Sequence, residues 1–98
     1  MKITYANRKI EKVCTNHTAA VRAHGVRMAE KIAQCIFAIA AAETVESLVK
    51  RGLYRCHALK QDRKGQYAMD LVHPYRLVFE IHGEEIEIAN ILEVIDYH

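Results

Sequence analysis

The chain has 98 residues, with 14 Lys and Arg against 12 Asp and Glu, and its net charge of +2 makes it mildly basic. A chain of this length builds one modest hydrophobic core, so we expect a single domain over residues 1–98 and exclude a second one. The small net charge permits an RNA or phosphate partner without requiring one.

The cysteines and the apolar stretches exclude further classes of protein. Cys14, Cys35 and Cys56 are widely spaced and form no CxxC pair, and no histidine has metal-ligand spacing, so we expect neither a metal nor a cofactor. The most apolar stretch, residues 32–42, is too short to span a bilayer, and the first residues lack the apolar region of a signal peptide. We therefore expect a cytoplasmic protein without membrane contact.

The first half of the chain predicts one strand followed by three helices. Alternation over residues 2–5 predicts the strand. Asn7 is a favourable N-cap for a helix over 8–14, Thr18 for a long helix to about residue 42, and Thr44 for a third helix ended by Gly52. Gly25 within the long helix indicates a bend or the close approach of another backbone.

The second half predicts strands over residues 53–58, 66–72, 75–81 and from 86 to about 94. Helices followed by strands are typical of an α+β fold, with the N-terminal strand and the helices packed on one face of a mainly antiparallel sheet. Alternation places Arg76 on the face opposite Tyr75, Leu77 and Phe79.

A cationic loop and its flanking strands carry the first group of candidate functional residues. His57 offers proton transfer, Lys60 a fixed cation, and Arg76 a fork that suits a phosphate. Each also has an ordinary structural role, such as pairing of Arg76 with Asp70 or Glu80. A nucleophilic role for Cys56 is weakly supported, because adjacent strand residues face opposite ways. The surrounding cations are candidates for RNA contact, namely Arg55, Arg63 and Lys64.

The C-terminal residues form the second group. Asp96 and His98 share a face if the chain stays extended to its end, and Tyr97 takes the other face. A carboxylate beside an imidazole raises the His pKa and fixes its tautomer, as acid-base catalysis requires. Chain termini also fray, and a last His is usually solvent-exposed and idle.

The segment Cys56 to Glu80, CHALKQDRKGQYAMDLVHPYRLVFE, together with the terminal Asp96-Tyr97-His98, resembles the HigB toxins of the RelE/ParE superfamily of type II toxin-antitoxin systems. The resemblance implies a RelE-like, microbial-ribonuclease-like fold and a ribosome-dependent endoribonuclease, an mRNA interferase that inhibits translation. It implies mRNA, the ribosome and a small helix-turn-helix antitoxin of the HigA type as partners, with operator DNA bound only through the antitoxin complex.

The resemblance also assigns roles by position. His57 matches the His before the family's loop, Lys60 its catalytic Lys and Arg76 its strand Arg, and the last three residues match its terminal catalytic group. Gln61 stands where many relatives have Gly, which is the one visible departure. Such a site would cut RNA without a metal, since the 2′-hydroxyl of the RNA attacks the neighbouring phosphate.

Two other functions remain compatible with these residues. ParE-like proteins of the same superfamily poison DNA gyrase by binding, without catalysis, and fold alone does not separate the two classes. The acid-base residues favour the nuclease, because a binding poison has no use for them. An inactive relative that serves only as an antitoxin-binding corepressor is the third possibility.

Overall fold

A five-stranded sheet with four helices on one face forms the fold in the computed structural model, which describes residues 1–96. The helices are α1 (Arg8–Thr15), α2 (His17–His24), α3 (Val26–Ala41) and α4 (Val45–Arg51). The strands are β1 (Lys2–Tyr5), β2 (His57–Ala58), β3 (Gln66–Asp70), β4 (Tyr75–His82) and β5 (Ile88–Asp96). Short 3-10 turns at Leu53–Arg55 and Gln61–Arg63 stand on either side of β2.

The strand order is β1-β5-β4-β3-β2, which leaves β2 at one edge of the sheet. Consecutive strands β2 to β5 pair antiparallel, whereas β1 pairs parallel with β5. The sheet is therefore mixed, and the predicted α+β class is confirmed. None of the helices in residues 1–96 is long and apolar enough to cross a membrane.

The two faces of the sheet are covered very differently. On one face Leu77, Phe79 and Ile91 are fully buried against the helices, and the Phe79 ring stacks on Tyr67 with 5.8 Å between centroids. Burying each large apolar side chain contributes about 1.5–3 kcal/mol, so this side supplies most of the stability. The opposite face, called the open face below, has among residues 1–96 a small apolar cluster, made of Leu59, Ala68 and Val78 with Leu92 and Ile95.

Two of the predicted helices begin and end where the sequence places them. The Asn7 side chain accepts a hydrogen bond of 2.9 Å from the Ile10 amide at the start of α1. Thr44 does the same for Ser47 at the start of α4, and Gly52 ends that helix with a φ of 62°. These local signals are reliable because capping satisfies otherwise unpaired backbone groups.

The prediction of one long helix from Thr18 to about residue 42 is wrong. The chain forms two helices that meet at Gly25, whose φ of 88° and ψ of 168° are not helical. The N-cap is also not Thr18 but Asn16, which accepts a hydrogen bond from the Ala19 amide at 3.0 Å. Gly25 adopts this conformation without the steric cost that a β-carbon would add.

The predicted strand over residues 53–58 is also largely wrong. Only His57–Ala58 pairs with β3, and the residues before it form a 3-10 turn in which Tyr54 and Arg55 have φ of 49° and 51°. The Lys31 ammonium lies 5.2 Å from the centre of the Tyr54 ring. Hydrophobic alternation cannot reveal such a turn, because left-handed conformations leave no mark on the apolar pattern.

Candidate functional site

The register of the sheet brings His57 and Arg76 onto the open face. His57 pairs with Ala68, Ala68 pairs with Val78, and Asp70, two residues further along β3, pairs with Arg76. Because residues two apart in a strand share a face, all five lie on the same side of the sheet. The candidate imidazole and the candidate guanidinium therefore stand in neighbouring rows, near one end of the sheet.

His57 is held by the backbone of the preceding turn. Its Nδ1 lies 2.7 Å from the Arg55 carbonyl oxygen. A carbonyl oxygen only accepts, so Nδ1 carries the proton and donates it, which leaves the lone pair of the neutral ring on Nε2. His57 thus has the tautomer that acid-base chemistry at Nε2 requires.

Asp70 lies between two arginines. Its Oδ1 is 3.3 Å from the Nε of Arg76, and its Oδ2 is 3.6 Å from the Nε of Arg55. The Arg76 side chain is 25% exposed and that of Arg55 is 76% exposed, so one guanidinium is mostly covered and the other reaches into solvent. The pairing of Arg76 with Asp70 that strand alternation allowed is present, and Arg55 joins it.

Lys60 lies apart from this row. It is exposed and lines a depression on the surface together with Ala58 and Tyr67. Leu59, between Ala58 and Lys60, packs into the apolar cluster of the open face, so alternation puts Lys60 on the other side of the edge strand β2 from His57. The next residue, Gln61, has a φ of 57°, a left-handed conformation that glycine adopts more readily than other residues.

Arg63 is engaged within the fold. Its Nε donates a hydrogen bond of 2.7 Å to Gln66, and its Nη2 forms an ion pair with Glu93 of β5. The Arg63 side chain is only 28% exposed, so most of it is not accessible to RNA. It braces the loop that precedes β3 across the open face, whereas neighbouring Lys64 is exposed.

Asp96 is the last described residue and pairs with Tyr75 at the end of β5. Because the preceding Ile95 packs on the open face, alternation places Asp96 on the other face from Arg76. Tyr97 and His98, two of the predicted catalytic residues, lie outside the described residues, and their roles stay predictions.

The cysteines are free and unsuited to nucleophilic chemistry. Burial raises the pKa of the Cys56 thiol to about 11 and that of Cys35 to about 12, so both are protonated near neutral pH. Within residues 1–96 no three His, Cys, Asp or Glu side chains cluster closely enough to bind a metal ion.

Sequence reasoning missed two features. The bridging position of Asp70 follows only from strand register. The other feature is the charge of the helical layer: residues 1–34 contain seven Lys and Arg and two Glu, and a count along the chain would have found it. The exposed cations of α1 to α3 are Arg8, Lys9, Lys12, Arg22 and Arg27.

Comparisons with known proteins bear on the fold. No protein-family model matches this sequence, and no curated protein sequence does either. Solved structures that are similar over the whole chain include three toxin structures. A YoeB/ParE toxin from Agrobacterium tumefaciens is 19% identical, with a TM-score of 0.67 and coverage of 100% of both chains.

Two structures from Staphylococcus aureus agree with it. A chain of the YoeB-YefM complex is 19% identical with a TM-score of 0.64, and the YoeB dimer is 18% identical with a TM-score of 0.60. Each match covers 100% of this chain and 97% of the other. The protein therefore has the fold of the YoeB toxins of toxin-antitoxin systems, which confirms the toxin fold that the sequence resemblance implied.

Proposed function

We propose that this protein is the toxin of a type II toxin-antitoxin system, of the HigB type, and that it cuts translated mRNA on the ribosome. The observation that carries the proposal is the pair on the open face: an imidazole with a fixed tautomer and a guanidinium in the next row. The likeness of the fold to YoeB toxins supports the toxin role.

The reaction needs few groups. The 2′-oxygen of the RNA attacks the adjacent phosphorus, the bond from phosphorus to the 5′-oxygen breaks, and the products carry a 2′,3′-cyclic phosphate and a 5′-hydroxyl. One group removes the proton from the 2′-hydroxyl, another protonates the leaving 5′-oxygen, and cations stabilise the extra negative charge on the phosphate. No metal is required for these steps.

The residues take these roles as follows. His57 acts through Nε2 as one proton-transfer group, and His98 is the other. Asp96 lies on the other face of the sheet from His57, so it orients His98 from around the end of β5. Arg76 and Lys60 neutralise the phosphate, and Lys60 approaches it around the edge of β2. Tyr97 stacks on a base or positions the phosphate through its hydroxyl.

Binding of the RNA backbone extends beyond these residues. Arg55 and Lys64 are exposed next to the site and contact phosphates, while Arg63 holds the loop in place. The basic helical layer adds a longer-range attraction to the polyanionic ribosome, which is sensitive to salt. The antitoxin partner is a small helix-turn-helix protein of the HigA type; a YoeB toxin has been solved in complex with YefM.

The proposal is tested in a reconstituted translation system, with primer extension to map new 5′ ends in the mRNA. The informative variant is His57→Asn, whose amide nitrogen still donates to the Arg55 carbonyl but which has no group at the position of Nε2. We expect its cleavage rate to fall roughly 10²- to 10⁴-fold, with an unchanged melting temperature. His17→Asn, the same substitution at an exposed position at the start of α2, is the matched control and leaves cleavage unchanged.

Three results would contradict the proposal. Cleavage of mRNA in the absence of ribosomes would show that the activity does not depend on the ribosome. Full cleavage activity of His57→Asn would show that His57 is not a proton-transfer group of the site. Growth arrest with intact mRNA, together with DNA breaks made by gyrase in the presence of the protein, establishes the ParE-like activity instead.

A further inference from the structure

We propose that Asp70 is a positioning residue, whose carboxylate holds the guanidinium groups of Arg55 and Arg76 beside His57 at the reacting phosphate. The inference rests on the proposed ribonuclease function and names a residue that the sequence did not single out for it. It adds Arg55 to the groups that contact this phosphate.

Three charged side chains meet at the carboxylate of Asp70. Both arginines approach Asp70 through Nε, at 3.3 Å for Arg76 and 3.6 Å for Arg55, and each forms an ion pair with a different carboxylate oxygen. Two guanidinium groups on one face repel each other, and a carboxylate between them offsets that repulsion. Asp70 therefore allows the two guanidinium groups to lie close together before any phosphate is bound.

Asp70 is linked to the imidazole through Arg55. The carbonyl oxygen of Arg55 accepts the hydrogen bond from His57 Nδ1, and its side chain forms an ion pair with Asp70. Arg55 has a φ of 51°, which costs free energy for a residue with a β-carbon and persists only where surrounding contacts impose it. The ion pair with Asp70 is such a contact, since it ties the strained turn to β3 and so fixes the direction of the carbonyl that orients His57.

One oxygen of the Asp70 carboxylate lacks a well-formed hydrogen bond. Asp70 Oδ1 is fully shielded from solvent and, among residues 1–96, no donor reaches it with good hydrogen-bond geometry. The Arg76 Nε at 3.3 Å is close enough for charge attraction but is poorly aligned. Contacts of this kind in free enzymes often tighten when substrate binds, so a phosphate that draws Arg76 forward aligns this bond as well.

We therefore expect Asp70→Asn to bind RNA as well as before but to cleave it more slowly. The variant keeps the shape of the side chain but removes a negative charge, so the attraction to RNA stays the same or increases. The two guanidinium groups and the imidazole are no longer held together, so the cleavage step slows. A residue with only a structural role would lower stability without separating these two effects.

The experiment measures single-turnover cleavage on the ribosome as a function of toxin concentration. For Asp70→Asn we expect a saturating rate at least ten-fold below that of the unmodified protein, with a half-saturating concentration that is equal or lower. Glu80→Gln, a comparable change from carboxylate to amide on the same face, is the control, because the hydrogen bonds of Glu80 come from His82 and Asn90, which have no role in the proposed site. Equal rates for the two variants would overturn the inference.

A second measurement does not depend on catalysis. Nitrogen-15 NMR of the protein alone follows the Nε–H signals of Arg55 and Arg76 and the tautomer of His57 during titration with inorganic phosphate. We expect both arginine signals to respond together in the unmodified protein, and Asp70→Asn to uncouple them and to mix the His57 tautomers. Unchanged signals and tautomer in Asp70→Asn would refute the positioning role.

The two measurements separate the failure of each proposal. If the unmodified protein cleaves no mRNA, the proposed function fails, and the NMR result alone decides whether Asp70 arranges the two cations. If Asp70→Asn does not fold, Arg55→Lys reaches the same contact from its exposed side, because the Arg55 side chain is 76% exposed and unfolding is not expected. Lysine keeps the charge but lacks Nε, so the same loss of rate is expected, and full activity would overturn the inference.

Discussion

The ion pair between Arg63 and Glu93 allows a direct test of whether Arg63 holds the loop before β3 in place or contacts RNA. Sequence reasoning makes Arg63 a contact for RNA, whereas the structure shows it bound to Glu93 and Gln66. The two side chains are 28% and 43% exposed, which places the pair between the buried and the fully solvated extremes. Charge-assisted hydrogen bonds contribute about 1.5–3 kcal/mol and exposed pairs about 0.2–1 kcal/mol, so we expect about 1–2 kcal/mol here.

The expected outcomes follow from a double-mutant cycle measured by urea unfolding. Arg63→Ala and Glu93→Ala each lower the free energy of unfolding by about 1–2 kcal/mol, and the double variant loses little more than either one. For a chain of this size that corresponds to a melting temperature lower by roughly 5–10 °C. Lys64→Ala, the exposed neighbour, is the control: its stability changes by less than about 0.5 kcal/mol, and its affinity for RNA falls.

One result would refute the reasoning. If Arg63→Ala weakened RNA binding as Lys64→Ala does, and its coupling to Glu93 were within about 0.3 kcal/mol of zero, Arg63 would be an RNA contact and not a brace.

Three further predictions concern stability. Gly83→Ala should lower the free energy of unfolding by about 2 kcal/mol or more, because Gly83 has a φ of 91° and an added β-carbon would lie 2.2 Å from a backbone oxygen. Gly65→Ala is the control: Gly65 has a φ of 93° but faces open space, so the loss should be only about 1–2 kcal/mol in thermal unfolding. Gln61→Gly should be neutral or stabilising by up to about 1 kcal/mol in urea, whereas Gln61→Ala gains nothing, because only Gly removes the strain of the φ of 57°. Hydrogen bonds, first that from His82, lower the pKa of Glu80 below its ordinary 4.5, so their stabilisation is present above that pH and lost as the pH falls below it. The urea midpoint of Glu80→Gln should therefore fall less steeply below pH 4.5 than that of the unmodified protein.

Much of the fold is readable from the sequence because it depends on local rules. Asn7 and Thr44 are found at the helix starts, and Gly52 at a helix end, because capping groups act within three or four residues. The last strand is shifted, at Ile88–Asp96 and not from residue 86 to about 94. Strand ends are set by pairing with a distant neighbour, and the sequence shows no sign of that partner.

The errors have the same origin. A stripe of apolar residues continues through Gly25, so periodicity favours one helix, whereas Gly25 itself indicates a bend or a close backbone contact. The two signals do not decide between a bend and a full break into two helices, which is what the structure shows. The parallel pairing of β1 with β5 joins the two ends of the chain and cannot be read from either segment. Of the candidate site, alternation placed Arg76 on its face and offered Asp70 or Glu80 as its partner. The choice of Asp70, its second contact with Arg55 and the turn that orients His57 depend on tertiary contacts.

Backbone strain is concentrated in the same short part of the chain as the proposed site residues His57 and Lys60. Among residues 1–96 the non-glycine residues with left-handed φ are Tyr54, Arg55 and Gln61, which bracket the two-residue strand β2 and its His57. An edge strand of two residues has too few ladder hydrogen bonds to hold such turns by itself.

Each end of this segment is instead fastened to the open face by a charged contact. Arg55 pairs with Asp70 of β3 on one side, and Arg63 pairs with Glu93 of β5 on the other. The segment that carries His57 and Lys60 is therefore held at both ends by charged contacts. Such fixed positions are what the proposed ribonuclease site, which lies on a surface, requires. Removing either charged contact should lower the rate of the proposed cleavage by more than the loss of stability explains. Gln61→Gly tests the backbone strain separately: a lower cleavage rate would show that the strain positions Lys60, and an unchanged rate would show that it does not.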